Sequence, residues 1–191
     1  TVAPHLYDWL FDGIDDYIGI LHSENLNLTS EVTVEALFKP ITRPSQRPVH
    51  LAGKHSDLTG YGIWYNQHGS LYGKVGDGSS WIDTSYFAPT LSTWHHIFFV
   101  ADGSYLHLYV NDSEVGTPQA YTSIAPNTAP ILIGRVYYGT YYLGKTMLSH
   151  ICIYNNALGE EDMGNSYTNH ILNGSGLVMF LDPTFWNDTH Y

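Results

Sequence analysis

Two glutamates four residues apart, in the run Glu31-Val32-Thr33-Val34-Glu35, form the only carboxylate pair whose spacing suggests acid and base work on a glycosidic bond. Residues i and i+4 of a strand share a face, so both side chains would point the same way. Retaining hydrolysis needs carboxyl groups about 5–5.5 Å apart, whereas four residues of flat strand separate the Cα atoms by roughly 13 Å. No catalytic residue is assigned on this basis, and the Glu31, Thr33, Glu35 face is expected to be solvated.

Oxygen donors for a hard cation are densest at Asp12, Asp15 and Asp16, with Asp77 and Asp83 as a looser second source. No motif requires a cofactor, and one calcium ion at Asp12, Asp15 and Asp16 is the metal the pattern could accommodate. Turn-bracing side-chain bonds are the competing use of these acids. His95 and His96 are adjacent, and neighbours in a strand point to opposite faces, so they do not chelate one ion. Cys152, the single cysteine, has no partner for an intramolecular disulfide and reads as a small buried apolar residue.

Sugars are recognised by aromatic rings on which pyranoses stack and by polar groups that bond their hydroxyls. Trp64, Trp81, Tyr61, Tyr65, Tyr86 and the run Tyr137-Tyr138-Gly139-Thr140-Tyr141-Tyr142 offer more ring surface than one core needs. Trp64, Trp81, Tyr61, Tyr86, Tyr138 and Tyr141 are the candidate carbohydrate-binding residues. A subunit interface would favour the same residue types.

Composition narrows the classes of function. Charged residues are 13% of the chain, the formal net charge is -11, and only 7 Lys and Arg are present, which disfavours nucleic acid as a partner. No stretch approaches the roughly 20 apolar residues of a membrane span. N-glycosylation sequons begin at Asn27, Asn111, Asn173 and Asn187, in keeping with an extracellular or cell-surface location. The chain starts at Thr1 with neither Met nor signal peptide, as a processed mature form would.

The elements that must position these groups are short strands. Val32, Val34 and Ala36 alternate with polar residues until Pro40 ends the strand. Tyr61 to Asn66 and Leu71 to Val75 flank a Gln67-His68-Gly69-Ser70 turn, and Trp94 to Val100 and Tyr105 to Val110 flank Ala101-Asp102-Gly103-Ser104. Ile131 to Arg135 and Met147 to Tyr154 continue the pattern. Ala157 through Ile171 has helical spacing with Glu160, Glu161 and Asp162 at its start. Gly176 to Leu181 is continuously apolar, which predicts a buried final strand. The predicted fold is all-β, a two-sheet antiparallel jelly-roll sandwich with one short helix near the C-terminus, filling residues 1–191 as one domain.

Five ordered segments carry a resemblance. They are Phe11-Asp12-Gly13-Ile14-Asp15-Asp16-Tyr17-Ile18, Val32 to Pro40, Ser92-Thr93-Trp94-His95-His96-Ile97 with Leu108 to Asp112, Ile131 to Arg135, and Ile153 to Leu158 with Glu160-Glu161. Together they resemble the laminin G-like domains of the concanavalin A-like lectin/glucanase superfamily. The departures are Leu37 where the family usually carries Trp, Asn111-Asp112 in place of Asn-Gly, and His150 where relatives often place an acid.

The resemblance implies two sheets of six or seven strands each, with Trp94 and the central hairpin in the core. It also implies that a glycanase of this architecture would carry Asp where Thr33 stands. The fold hosts lectins, glycanases and structural modules alike. The leading expectation is a non-enzymatic extracellular structural or adhesive module, self-associating through an apolar terminal segment, Val2 to Phe11 or Leu177 to Trp186. Its partners would be copies of itself or other surface proteins. The alternative is a carbohydrate-binding, lectin-like module with glycan partners.

Overall fold

The computed structural model describes residues 8–169 and 175–183. In chain order the elements are β1 (Trp9–Phe11), β2 (Ile18–Ile20), β3 (Glu31–Pro40), β4 (Val49–Ser56), β5 (Thr59–Tyr65), β6 (Leu71–Asp77) and β7 (Trp81–Asp83). They continue with β8 (His95–Asp102), β9 (Tyr105–Val110), β10 (Ser113–Glu114), β11 (Gln119–Ala120), β12 (Ile131–Ile133), β13 (Thr146–Tyr154), α1 (Glu160–Asn169) and β14 (Leu177–Leu181). The predicted two-sheet antiparallel sandwich is the observed one. One sheet runs β1-β13-β3-β8-β9-β10, with β11 beside β9 and β14 beside β13, and the other runs β2-β12-β4-β5-β6-β7.

Period-two burial builds the core between the sheets. Val32, Val34, Ala36 and Phe38 of β3 are fully buried opposite Tyr61, Ile63 and Tyr65 of β5. Phe38 and Tyr65 meet edge to face with centroids 5.5 Å apart. At Gly73 the sheets press together, since an added Cβ would lie 2.0 Å from the Phe99 ring. The predicted β8–β9 turn holds Gly103 at φ +94°, and Asp102 Oδ1 accepts the Ser104 and Tyr105 amides. Asn111 and Asp112 take φ of +49° and +63°, the two positive values a tight hairpin turn needs.

Three expectations are corrected. The outward face of β3 is not wet: every residue from Val32 to Phe38 is buried. The reason is α1 and the segment entering it, whose Leu158 and Met163 pack with Phe98, Val100, Cys152 and Tyr154 over that face. Trp94 is only half-buried and lies outside the core, just before β8, with Lys39 Nζ 5.9 Å from its ring centroid.

The third correction is β14, which is half-buried along its length because it is an edge. β13 gives one side to β3 and shares the other end to end, Thr146–Leu148 with β1 and Ile151–Tyr154 with β14. Both terminal strands therefore pair within their own chain. The continuous apolar run of β14 still has a physical basis, since Leu177 and Phe180 join the cluster under α1 while Val178, Met179 and Leu181 pack on the main core. No helix among the described residues is long and apolar enough to cross a membrane.

Candidate carbohydrate-binding face and a buried carboxylate

Alternation on β5 divides the predicted aromatic residues. Tyr61 and Tyr65 share parity with Ile63 and point into the core, where the Tyr61 hydroxyl donates to the Leu26 carbonyl at 2.9 Å. Tyr61 is therefore no sugar platform, and its burial pushes the phenol pKa well up. Trp64 lies on the opposite face. Across the ladders it stands level with His50 and Tyr72, while Lys74 stands level with Asp83, and His55, Gly60, Gly76 and Trp81 form the next row.

A single aromatic cluster results. Trp64 is within 4.2 Å of His50, 5.0 Å of His55 and 6.2 Å of Trp81, measured between ring centroids. His55 also contacts Trp81 at 4.8 Å, and Tyr72 meets Tyr86 at 4.8 Å. Lys74 Nζ sits over three of these rings, 5.1 Å from Trp64, 5.3 Å from Tyr72 and 5.1 Å from Trp81, and pairs with Asp83 at 3.3 Å. The Tyr86 hydroxyl donates to Asp83 at 2.8 Å. Trp64 and Tyr72 are buried beneath, Trp81, His55, Lys74 and Asp83 are half-buried, and Tyr86 is exposed.

The solvent-facing part is thus a graded surface of rings fringed by one cation, one carboxylate and an imidazole. Burial, with the Lys74 charge as a lesser cause, holds His55 down at a pKa of about 4. His50 is fully buried, and burial also lowers its pKa well below the usual histidine range.

The remaining predicted rings lie on the loop after β12. Tyr138 is exposed, with its hydroxyl 3.0 Å from Ser56 Oγ, and its ring meets Tyr137 at 4.7 Å. Tyr141 lines a hollow of about 80 Å³ with Gln46 and Arg47, and the Arg47 guanidinium stacks on it at 5.5 Å. Arg135 sits 4.8 Å from the Tyr17 ring and 5.5 Å from Tyr142. The loop tyrosines so form a second polar and aromatic area rather than part of the Trp64 cluster.

The carboxylates behave differently from expectation. Glu31 is half-buried and accepts the Ala157 amide, so it faces the chain entering α1 rather than an open groove. Glu35 is fully buried and accepts four hydrogen bonds. His96 Nε2 at 2.7 Å, His150 Nε2 at 3.2 Å and Ser166 Oγ at 2.5 Å reach Oε1, and the Tyr154 hydroxyl reaches Oε2 at 3.0 Å. Burial raises the pKa of a carboxyl group, but here the hydrogen bonds and charge of His150 and His96 outweigh it and hold Glu35 well below the usual range. His95 points the other way, toward the Thr90 carbonyl at 3.1 Å, as the opposite-face reading predicts.

Asp12, Asp15 and Asp16 are brought together, with donor oxygens all within 4.8 Å of one another on the exposed surface. Two of them already brace the turn: Asp12 Oδ1 accepts the Ile14 amide and Asp16 Oδ2 the Asp12 amide. These residues fit a rim site for calcium in part, supplying carboxylates for a shell of roughly six to eight oxygens. Asp77 is committed to its own turn, where the Ser79 and Ser80 amides hold its pKa at about 2, and Asp83 serves Lys74 and Tyr86.

Of the sequon residues, Asn111 is exposed with its Oδ1 accepting the His96 amide, and Asn27 accepts the Asn127 amide. Asn173 and Asn187 lie outside the described residues.

Sequence reasoning missed His50, His55, Tyr72 and Lys74. Their signal was the shared outward parity with Trp64 once the hairpin registers are known. It also missed the alliance of Glu35 with His96 and His150, which no local spacing reveals.

Comparison with known proteins agrees with this architecture. Among solved structures, the botulinum neurotoxin serotype D binding domain aligns with TM-score 0.68 at 12% identity, over 86% of this chain and 43% of that one. Domain 4 of AbnA, an extracellular arabinanase from Geobacillus stearothermophilus solved in complex with arabinotriose, aligns with TM-score 0.60 at 16% identity, over 83% and 75%. Trypanosoma rangeli sialidase, solved in complex with sialic acid, aligns with TM-score 0.63 at 13% identity, over 85% and 28%. The chain spans under half the length of the toxin binding domains it matches. A comparison with curated proteins finds no match. A sequence model of the Concanavalin A-like lectin/glucanases superfamily matches residues 12–163, and the chain belongs to that superfamily.

Proposed function

We propose that this chain is a non-catalytic carbohydrate-binding module of an extracellular or surface protein, and that its ligand face is the outer surface of the β4–β7 sheet. The observation that carries the reading is the Trp64–Trp81–Tyr72–Tyr86 cluster, capped by Lys74 and fringed by Asp83 and His55. Exposed ring surface suits the apolar face of a pyranose, and a fixed ammonium and carboxylate suit its hydroxyls. Solved structures of the same fold include one in complex with arabinotriose and one with sialic acid, which supports a glycan ligand. Glu35 is sealed under α1 and Glu31 is turned to the Ala157 amide, which supports the absence of hydrolysis. Self-association through a donated terminal strand is the weaker reading, because β1 and β14 both pair with β13 of their own chain.

The test is a glycan array and affinity electrophoresis with the folded chain. Binding to a defined glycan that is lost in Trp81→Ala and Tyr86→Ala, each of which still unfolds in one cooperative thermal transition, supports the reading. Binding that survives both substitutions, or no binding to any glycan, overturns it.

A further inference from the structure

The sequence's only cysteine stands directly opposite Glu35 in the β3–β13 ladder. A register shift between Leu148 and Ile151 reverses the parity of β13. Leu148 faces the core before it, Ile151 and Ile153 face the core after it, and His150, Cys152 and Tyr154 are thereby turned to the outer face with Glu35. The outcome is one carboxylate oxygen, one imidazole nitrogen and one sulfur, all within 4.8 Å of one another and all buried. We infer that Glu35, His150 and Cys152 form a structural site for a zinc-class divalent cation.

The donor set selects the metal. A sulfur and an imidazole nitrogen beside a single carboxylate suit a borderline ion such as zinc or cobalt, whereas calcium and magnesium take oxygen donors. Charge also balances: a divalent ion, the Glu35 carboxylate and a Cys152 thiolate sum to zero, the condition an interior favours. His96 Nε2, 2.7 Å from Glu35 Oε1, is placed to orient the carboxylate. The three ligands sit on two central strands, buried beneath Met163 and Ser166 of α1, where an ion would stabilise the fold rather than present a reactive water.

Ion uptake has a defined proton balance. The metal–sulfur bond replaces the S–H bond of Cys152, and that proton leaves to solvent. The Nε2 proton that His150 donates to Glu35 also leaves that nitrogen, to Nδ1 of a singly protonated ring or to solvent from a doubly protonated one, freeing the Nε2 lone pair for the ion. Each ion bound releases the Cys152 proton, and a second proton where His150 starts as an imidazolium.

Because the site is buried, the metal is supplied during folding. The full chain is expressed in cobalt-supplemented medium, purified under reducing conditions, and its metal content and absorption spectrum are measured. The expected result is about one cobalt per chain, a thiolate-to-cobalt charge-transfer band, and visible d–d bands. Cys152→Ser is expected to abolish the charge-transfer band, and chelation after unfolding is expected to lower the refolded protein's Tm relative to zinc-refolded protein.

Cobalt bound without a charge-transfer band assigns it to surface histidines and overturns the inference. So does protein purified without metal, or a Tm that is the same after refolding with zinc and with chelator. None of these readouts depends on glycan binding, so this inference and the proposed function fail separately.

Discussion

His150 Nε2 lies 3.2 Å from Glu35 Oε1, joining residues 115 positions apart in the chain through a carboxylate with no exposure to water. Four donors reach that carboxylate, so its cost of burial is offset by contacts from β8, β13 and α1 together.

Glu35→Ala removes the acceptor and leaves His96, His150, Tyr154 and Ser166 without it. Breaking a buried network of this kind costs about 3–5 kcal/mol. Urea unfolding is expected to show a loss of that order, with α1 losing protection from hydrogen exchange first. A loss under about 1 kcal/mol would falsify the view that Glu35 holds α1 to the sheet.

The aromatic cluster predicts a split between two tryptophans. Trp64 is buried, so Trp64→Ala is expected to cost about 3–5 kcal/mol of stability. Trp81 is only half-buried, and Trp81→Ala is expected to lower stability by about 1 kcal/mol while removing glycan retention. Thermal unfolding and affinity electrophoresis on both variants check the pair.

Acid is expected to weaken the fold through His50 and His55. Each is held below the usual histidine range by burial, His55 at about 4, so the unfolded chain takes up protons that the folded chain refuses. Stability therefore falls as pH drops from about 6.5 toward 4. For half-buried His55 the loss is on the order of 1 kcal/mol once solvent screening is allowed for. Denaturant midpoints measured from pH 7 to pH 4 should show the decline, and His50→Leu should flatten it. A slope unchanged in that variant removes His50 from the account.

Gly73→Ala tests how tightly the two sheets close. A methyl group there meets the Phe99 ring of the facing sheet at 2.0 Å, and β6 is paired on both sides, so relief requires the sheets to part. Overpacking of this kind costs about 1–3 kcal/mol. Phe99→Leu in the same chain is expected to recover part of the loss, measured as a coupling in a double-mutant cycle.

Phe11→Ala tests the closure of the first strand on its own chain. Phe11 is buried in the main core and its ring lies against Gly134. A loss of about 3–5 kcal/mol is expected by chemical denaturation, without a change in oligomeric state by light scattering.

What the sequence by itself determined was set by short-range rules. Alternation in Val32 to Phe38, Asp102-Gly103 in a turn and the acidic start of α1 each act within a few residues, and strands, turns and helix follow from them. The superfamily was also legible, because its motifs recur in order along the chain. Strand parity was readable too, and it would have placed Tyr61 with Ile63 in the core and Trp64 on the other face.

Tertiary structure decided the rest. Whether the polar face of β3 met water depended on where α1 came to lie, more than a hundred residues later. Whether Trp64, Trp81, Tyr72 and Lys74 converged depended on the registers of three hairpins. Whether Cys152 faced Glu35 depended on a single register shift in β13. A one-residue slip reverses every side chain beyond it, so such juxtapositions belong to pairing between strands and not to any local run of residues.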